Sequence, residues 1–287
     1  MATTQIFNNS GERKWWQSAI VTSANEVGNI NGIIAKLDYL NELGADILWL
    51  SPIYQSPKED MGYDTPNYHD IYGTIDDIHR LINELKMRDM KLVMDLVVNH
   101  TSNQHPWFID SASSKISSLR EWYIWRKPKY DAKGNRQPPN NWCSIFDEME
   151  SAWTYDPNTD EYYLSLFSPF QADLNWETPF AREEVHDILH FWLDKGVSGF
   201  RMDVINLIPK DHMFPDAEIR HPDRKYQPTE KYFANGTRLV DYLQKLKLAV
   251  VNQDAFHHAD QSSWHFVSVP GRGAWQAQLG AGGVQGY

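Results

Sequence analysis

Arg201 and Asp203 stand two residues apart in the run GFRMDV. On a strand, both side chains point to the same side, where the guanidinium can pair with the carboxylate and hold it ionised. A charged carboxylate in an apolar setting is equipment for acid–base or nucleophilic chemistry. The plain alternative is a buried ion pair that only fixes the strand. Asp95, Asn99 and His100 form a second polar group at the end of the apolar run KLVMDLVV. Asp95 can equally cap a turn, and His100 can equally be a satisfied core histidine. Asp60, Tyr63 and Asp64, in DMGYD, form a third group beyond the run ADILWL. Taken singly, each is evenly balanced between structure and chemistry. Three polar strand ends at one mouth favour chemistry, because parallel α/β barrels carry their reactive groups at C-terminal strand ends.

The elements that must position these groups are legible from periodicity. Ile33, Ile34, Leu37, Leu40 and Leu43 follow helical spacing, with Gly44 as the closing residue. Residues 45–50 and 91–98 are short apolar runs that read as buried strands. Between them a helix begins at Thr74, a suitable N-cap, with Asp76 and Asp77 in its first turn. Its buried face is Ile78, Leu81, Ile82 and Leu85. Buried strands separated by amphipathic helices imply parallel βαβ units. The rhythm breaks over residues 101–171, a Trp-, Tyr-, Pro- and Asn-rich stretch too long for a simple loop, which predicts an inserted subdomain. It returns at Thr178 and Pro179, with Val185, Ile188, Leu189 and Trp192 as an apolar stripe and Gly196 as the stop. Residues 197–204 then read as a strand, 209–226 as a polar connection and 232–247 as a helix. From Leu248 the pattern fails, and the Gly-, Ala- and Gln-rich end reads as a disordered tail.

The composition excludes some partners. With 287 residues and a formal net charge of −11, the chain lacks the basic surface that nucleic acid or an acidic membrane face requires. No run approaches the length of a membrane span, and residues 1–14 are polar, without the apolar core of a secretory signal. Three glycosylation sequons therefore carry no meaning, and a cytoplasmic setting is expected. The single cysteine, Cys143, excludes an internal disulfide and reads as a packing residue. Aromatic residues make up 13% of the chain; they suit stacking on sugar rings and suit a large core equally well.

Four segments together resemble a known family. DLVVNH (95–100), GFRMDVIN (199–206), QADLNWE (171–177) and DMGYD (60–64) are similar, in order and spacing, to the motifs of glycoside hydrolase family 13, the α-amylase family. The pattern looks like its α-glucosidase and oligo-1,6-glucosidase branch and covers roughly residues 11–247. The resemblance implies a (β/α)8 TIM-barrel type fold, incomplete in its later strands, with a subdomain inserted after the third strand. The expected parts are a first barrel segment (11–100), the inserted subdomain (101–175), a barrel continuation (176–247) and a divergent tail (248–287). It implies retaining hydrolysis of short α-linked glucosides such as maltose, isomaltose or sucrose. Asp203 matches the nucleophile, and Arg201 the group that keeps it charged. Asp60, Tyr63 and His100 match groups that bind sugar hydroxyls or stack on the ring. Phe146, Phe167 and Gln171 match the wall contributed by the insertion, and Asp95 a residue that supports the site. Val204 resembles enzymes that accept α-1,6 linkages; α-1,4 maltases tend to carry Thr there. A small oligosaccharide or disaccharide is the expected partner, with no cofactor, and a monomer is favoured.

The sequence also departs from the family pattern. A retaining mechanism needs two carboxyl groups about 5–5.5 Å apart, and the family's general acid is a Glu at the end of the strand after the nucleophile. Here no Glu follows Glu230. Asp254 lacks the flanks of a strand end, and His258 and Asp260 lack the context of the family's later His–Asp pair. After Trp15 and Trp16 about ten residues are missing relative to the pattern. The run TSANEVGNINGI that follows lacks the oxygen-ligand density of a calcium loop, so no metal is expected. These departures predict a truncated or mis-spliced product with open sheet edges. The alternative to an active glucosidase is thus an inactive remnant that lacks its general acid.

Overall fold

Strand–helix alternation organises the computed structural model, which describes residues 21–24, 29–251 and 265–267. Strand β1 (Val21–Ala24) leads to helices α1 (Ile30–Ile34) and α2 (Leu37–Glu42), then to strand β2 (Ile47–Leu50). The one helix expected over 33–43 is therefore two. Lys36 N–H bonds Ile33 O, three residues back, which tightens the backbone and breaks the run. Gly44 closes the second helix at φ 78°, in the region where glycine carries no steric cost. Residues 22–24, read as the start of an irregular loop, lie in β1 and pair in parallel with β2. Much of the remaining stretch considered for calcium lies outside the described residues.

Helix α3 (Ile75–Lys86) forms as its sequence dictates. Thr74 Oγ1 accepts from Asp77 N, while the Asp77 carboxylate accepts from Thr74 N, closing a capping box. Ile78, Leu81, Ile82 and Leu85 are all buried. Strand β3 (Lys91–Val97) follows, then β4 (His100–Ser102) and helix α4 (Pro106–Ser113). Six short strands come next: β5 (Trp125–Arg126), β6 (Lys129–Tyr130), β7 (Arg136–Gln137), β8 (Trp153–Asp156), β9 (Glu161–Leu164) and β10 (Gln171–Asp173). They pair with one another and with β4 in three small antiparallel sheets. Helix α5 (Pro179–Asp194) buries Val185, Ile188, Leu189 and Trp192, and Gly196 ends it at φ 95°. Strand β11 (Gly199–Asp203) enters next to β3.

Helix α6 spans Leu239–Val251, not 232–247, because Glu230–Tyr232 forms a separate 3-10 turn. The chain past Leu248 is also partly ordered: the helix continues to Val251, and β12 (His265–Val267) pairs in parallel with β11. The rest of the expected tail, with Asp254, His258 and Asp260, lies outside the described residues. The main sheet runs β1-β2-β3-β11-β12, parallel throughout, with β1 and β12 at its edges among the described residues. Its apolar side chains merge with those of α3, α5 and α6 in one core. A second cluster, built on Trp142, Trp153, Leu164, Leu166 and Phe214, lies among the antiparallel strands and the connection after β11. Among the described residues no helix is long and apolar enough to cross a membrane.

Candidate active site

The register of β3 and β11 assembles the charged centre. Arg201 lies directly opposite Asp95 in the ladder, and Asp203 opposite Val97. The Arg201 guanidinium therefore meets two carboxylates: Nη1 lies 2.9 Å from Asp95 Oδ1 and 2.7 Å from Asp203 Oδ1. Asp95 is the deeper of the two, 1% exposed against 8% for Asp203. Trp49 Nε1 donates to Asp95 Oδ2 at 3.2 Å, and the Tyr63 hydroxyl approaches the same oxygen at 3.5 Å. Arg201 Nη1 also donates to the Tyr63 hydroxyl at 3.3 Å. Arg201 Nε is buried without a hydrogen-bond partner among the described residues. Asp203 thus stands at the outer end of the strand, held from one side by a cation whose other duty is to a buried acid.

Burial is the largest influence on both acids. It pushes the Asp95 carboxyl up to about 7, with Arg201 pulling down and Asp203 pushing further up. It also raises Asp203 above the ordinary carboxylate value, while Arg201 and then His100 pull it back. The spacing of Arg201 and Asp203 led to the expectation that pairing alone keeps the acid charged. Arg201 does pull Asp203 down as that pairing implies, but burial of the carboxyl outweighs it. Asp60 is raised by burial as well, and the amide of Gln171 opposes the shift.

The remaining groups expected at the site form one connected set. Gln171 Nε2 donates to Asp60 Oδ2 at 2.8 Å and sits 3.2 Å from His100 Nε2. His100 Nε2 lies 3.1 Å from the carbonyl oxygen of Tyr63. The ring of His100 packs on Phe167, centroids 5.2 Å apart, and Phe167 packs on Phe146 at the same distance. Phe167 is buried and Phe146 is 59% exposed, so the aromatic wall runs from the interior to solvent. Strands β4 and β10 join the set, pairing His100 with Asp173 in antiparallel register. Val204, next after Asp203, takes φ 36° and ψ 36°, a left-handed conformation rare for a β-branched residue. Such a conformation stores on the order of 1–3 kcal/mol and persists only where the surroundings enforce it.

Sequence reasoning missed two features. Trp49 was read only as part of an apolar strand, yet its indole N–H holds Asp95. Lys210 was assigned to a polar connection, yet its side chain is 1% exposed and pairs with the fully buried Asp173 at 2.8 Å. One signal was present: Lys210 directly follows INLIP, a largely apolar stretch and an unusual place for a solvated lysine. Cys143 is buried, as a packing residue should be. Among the described residues no three His, Cys, Asp or Glu side chains group so as to hold a metal ion.

Comparison with known proteins bears on this arrangement. Residues 4–262 match the family described as alpha amylase, catalytic domain. The alpha-glucosidase of Schizosaccharomyces pombe is 50% identical over 255 residues, covering 84% of this chain and 44% of that protein. The oligo-1,6-glucosidase of Parageobacillus thermoglucosidasius is 49% identical over 255 residues, with the same coverage. Among solved structures, trehalose-6-phosphate hydrolase from Bacillus licheniformis superposes with a TM-score of 0.75 at 40% identity, over 84% of this chain and 43% of that one. Isomaltulose synthase from Protaminobacter rubrum gives 0.74 at 38% identity, over 83% and 43%. The chain spans less than half the length of the curated relatives it matches. The fold is that of these TIM-barrel enzymes, and the described residues supply some of the barrel strands.

Proposed function

The chain belongs to the alpha-amylase catalytic-domain family, and on that premise we propose that it carries the nucleophile side of a retaining α-glucosidase site. The substrates are short α-linked glucosides such as maltose, isomaltose or sucrose. Asp203 attacks the anomeric carbon as the glycosidic C–O bond breaks, the departing oxygen leaves as an alcohol after taking a proton, and water then cleaves the glycosyl ester; Arg201 orients Asp203. Asp60, Tyr63, His100 and Gln171 bind the sugar in the cleavage subsite, with Phe146 and Phe167 as its wall. The observation that carries this reading is Asp203 at the outer end of β11, 2.7 Å from an arginine anchored on a deeper acid. Residues 101–175 act as the inserted subdomain and 11–100 with 176–247 as barrel, in a cytoplasmic, monomeric protein. Asp203→Asn keeps the shape and removes the nucleophile, so turnover of a nitrophenyl α-glucoside falls to background. Unchanged turnover refutes the assignment.

One observation favours a second reading. Strand β12, which lies beside β11, reads His265-Phe266-Val267, and residues 231–264 before it contain no Glu, so this strand offers no glutamate to act as general acid. A chain of this kind binds sugar and reacts with an activated glucosyl fluoride, whose leaving group needs little protonation, but fails on maltose. Rapid hydrolysis of maltose by the purified chain excludes this second reading.

A further inference from the structure

We infer that Lys210, Asp173 and Asn99 are positioning residues that fix which ring nitrogen of His100 carries its proton. Lys210 Nζ lies 2.7 Å from Asn99 Oδ1 and 2.8 Å from Asp173 Oδ1, and Asn99 Nδ2 lies 3.0 Å from the same Asp173 oxygen. An ammonium only donates, and an ionised carboxylate only accepts. The Asn99 amide therefore has a single allowed orientation. Turned over, it would set its NH2 against the ammonium and its oxygen against the carboxylate. In the allowed orientation one Nδ2 hydrogen goes to Asp173, and the other points at His100 Nδ1, 3.2 Å away. Nδ1 must then accept, so in the neutral ring the proton resides on Nε2.

The geometry on the other side of the ring agrees. His100 Nε2 faces the carbonyl oxygen of Tyr63 at 3.1 Å, an acceptor that requires a donor there. Gln171 is fixed independently: Ser168 Oγ donates to its Oε1 at 2.8 Å, and its Nε2 donates to Asp60 at 2.8 Å. His100 Nε2 and Gln171 Nε2 thus stand 3.2 Å apart as two donors whose hydrogens go elsewhere, to Tyr63 O and Asp60 Oδ2, beside Phe167. Asn99, His100, Asp173 and Lys210 are all buried, so water does not compete for these bonds. With the Nε2 hydrogen of His100 given to Tyr63 and one Gln171 amide hydrogen given to Asp60, the second Gln171 amide hydrogen is the donor left for a substrate hydroxyl oxygen. That consequence rests on the glucosidase reading, whereas the position of the proton does not.

The test is the long-range 1H–15N correlation spectrum of the full chain, at a pH where the ring is neutral. His100→Gln identifies the His100 signal among the 11 histidines. The expected result is a protonated Nε2 and an unprotonated Nδ1. Asn99→Asp sets an acceptor against Nδ1, so the proton moves to Nδ1 in that variant. A wild-type His100 protonated on Nδ1, or a pattern unchanged by Asn99→Asp, overturns the inference. If that variant does not fold, the wild-type spectrum alone decides. Absence of glucosidase turnover together with a protonated Nε2 defeats the functional reading and leaves the assignment of the His100 proton standing.

Discussion

Replacing Lys210 by methionine retains side-chain length and removes the ammonium. In the native protein that ammonium donates to Asp173 Oδ1, Asn99 Oδ1 and the carbonyl oxygen of Leu207. Without it Asp173 becomes a buried charge with no counter-ion, and two oxygens lose a donor. Breaking a buried pair from one side costs about 3–5 kcal/mol. Asp173 keeps two donors, Leu166 N at 2.8 Å and Asn99 Nδ2 at 3.0 Å. They place the expected loss at the lower end, about 3 kcal/mol, against a typical total of about 5–15 kcal/mol. Urea unfolding followed by the fluorescence of the 12 tryptophans reads this as a lowered midpoint at constant slope. Adding Asp173→Asn removes the stranded charge, so the double variant is more stable than the single Lys210→Met. A loss under about 1 kcal/mol for Lys210→Met, or a double variant whose loss equals the sum of the singles, refutes the argument that the pair acts as a unit.

The buried N-cap of α4 gives the protein an acid limit. His105 Nδ1 accepts from Trp107 N, and burial lowers the imidazole to about 4 from an ordinary 6.5. The folded state therefore binds fewer protons than the unfolded chain between these values. Stability is full above about pH 6.5 and falls by about 3 kcal/mol as pH drops through 4. His105→Asn keeps a capping side chain without a titrating ring, so its unfolding midpoint should depend less on pH across that window; an identical slope would refute the assignment. For substrate choice, Val204→Thr is expected to raise maltose turnover relative to isomaltose, measured as the ratio of the two kcat/KM values. An unchanged ratio removes Val204 from the account of linkage preference.

What the sequence determined by itself is local in origin. Apolar runs and helical stripes located β2, β3, α3, α5 and β11, because burial and capping act over a few neighbouring residues: Thr74 and Asp77 close their box without help from the rest of the fold. The two-residue spacing of Arg201 and Asp203 foretold that they share a face and meet. The motifs named the family for the same reason, since each lies within a short stretch of chain. Tertiary structure decided what depends on register and on distant partners. Only the β3–β11 ladder sets Arg201 opposite Asp95 and divides one cation between two acids, and only the packing around β11 buries Asp203 deeply enough to raise its carboxyl against the pull of Arg201. Only the return of the chain after β11 drives Lys210 into the interior, 111 residues from Asn99 in sequence, where it fixes an amide and through it a histidine. A lysine's burial and an amide's orientation are properties of surroundings gathered from several elements, and no window of sequence contains them.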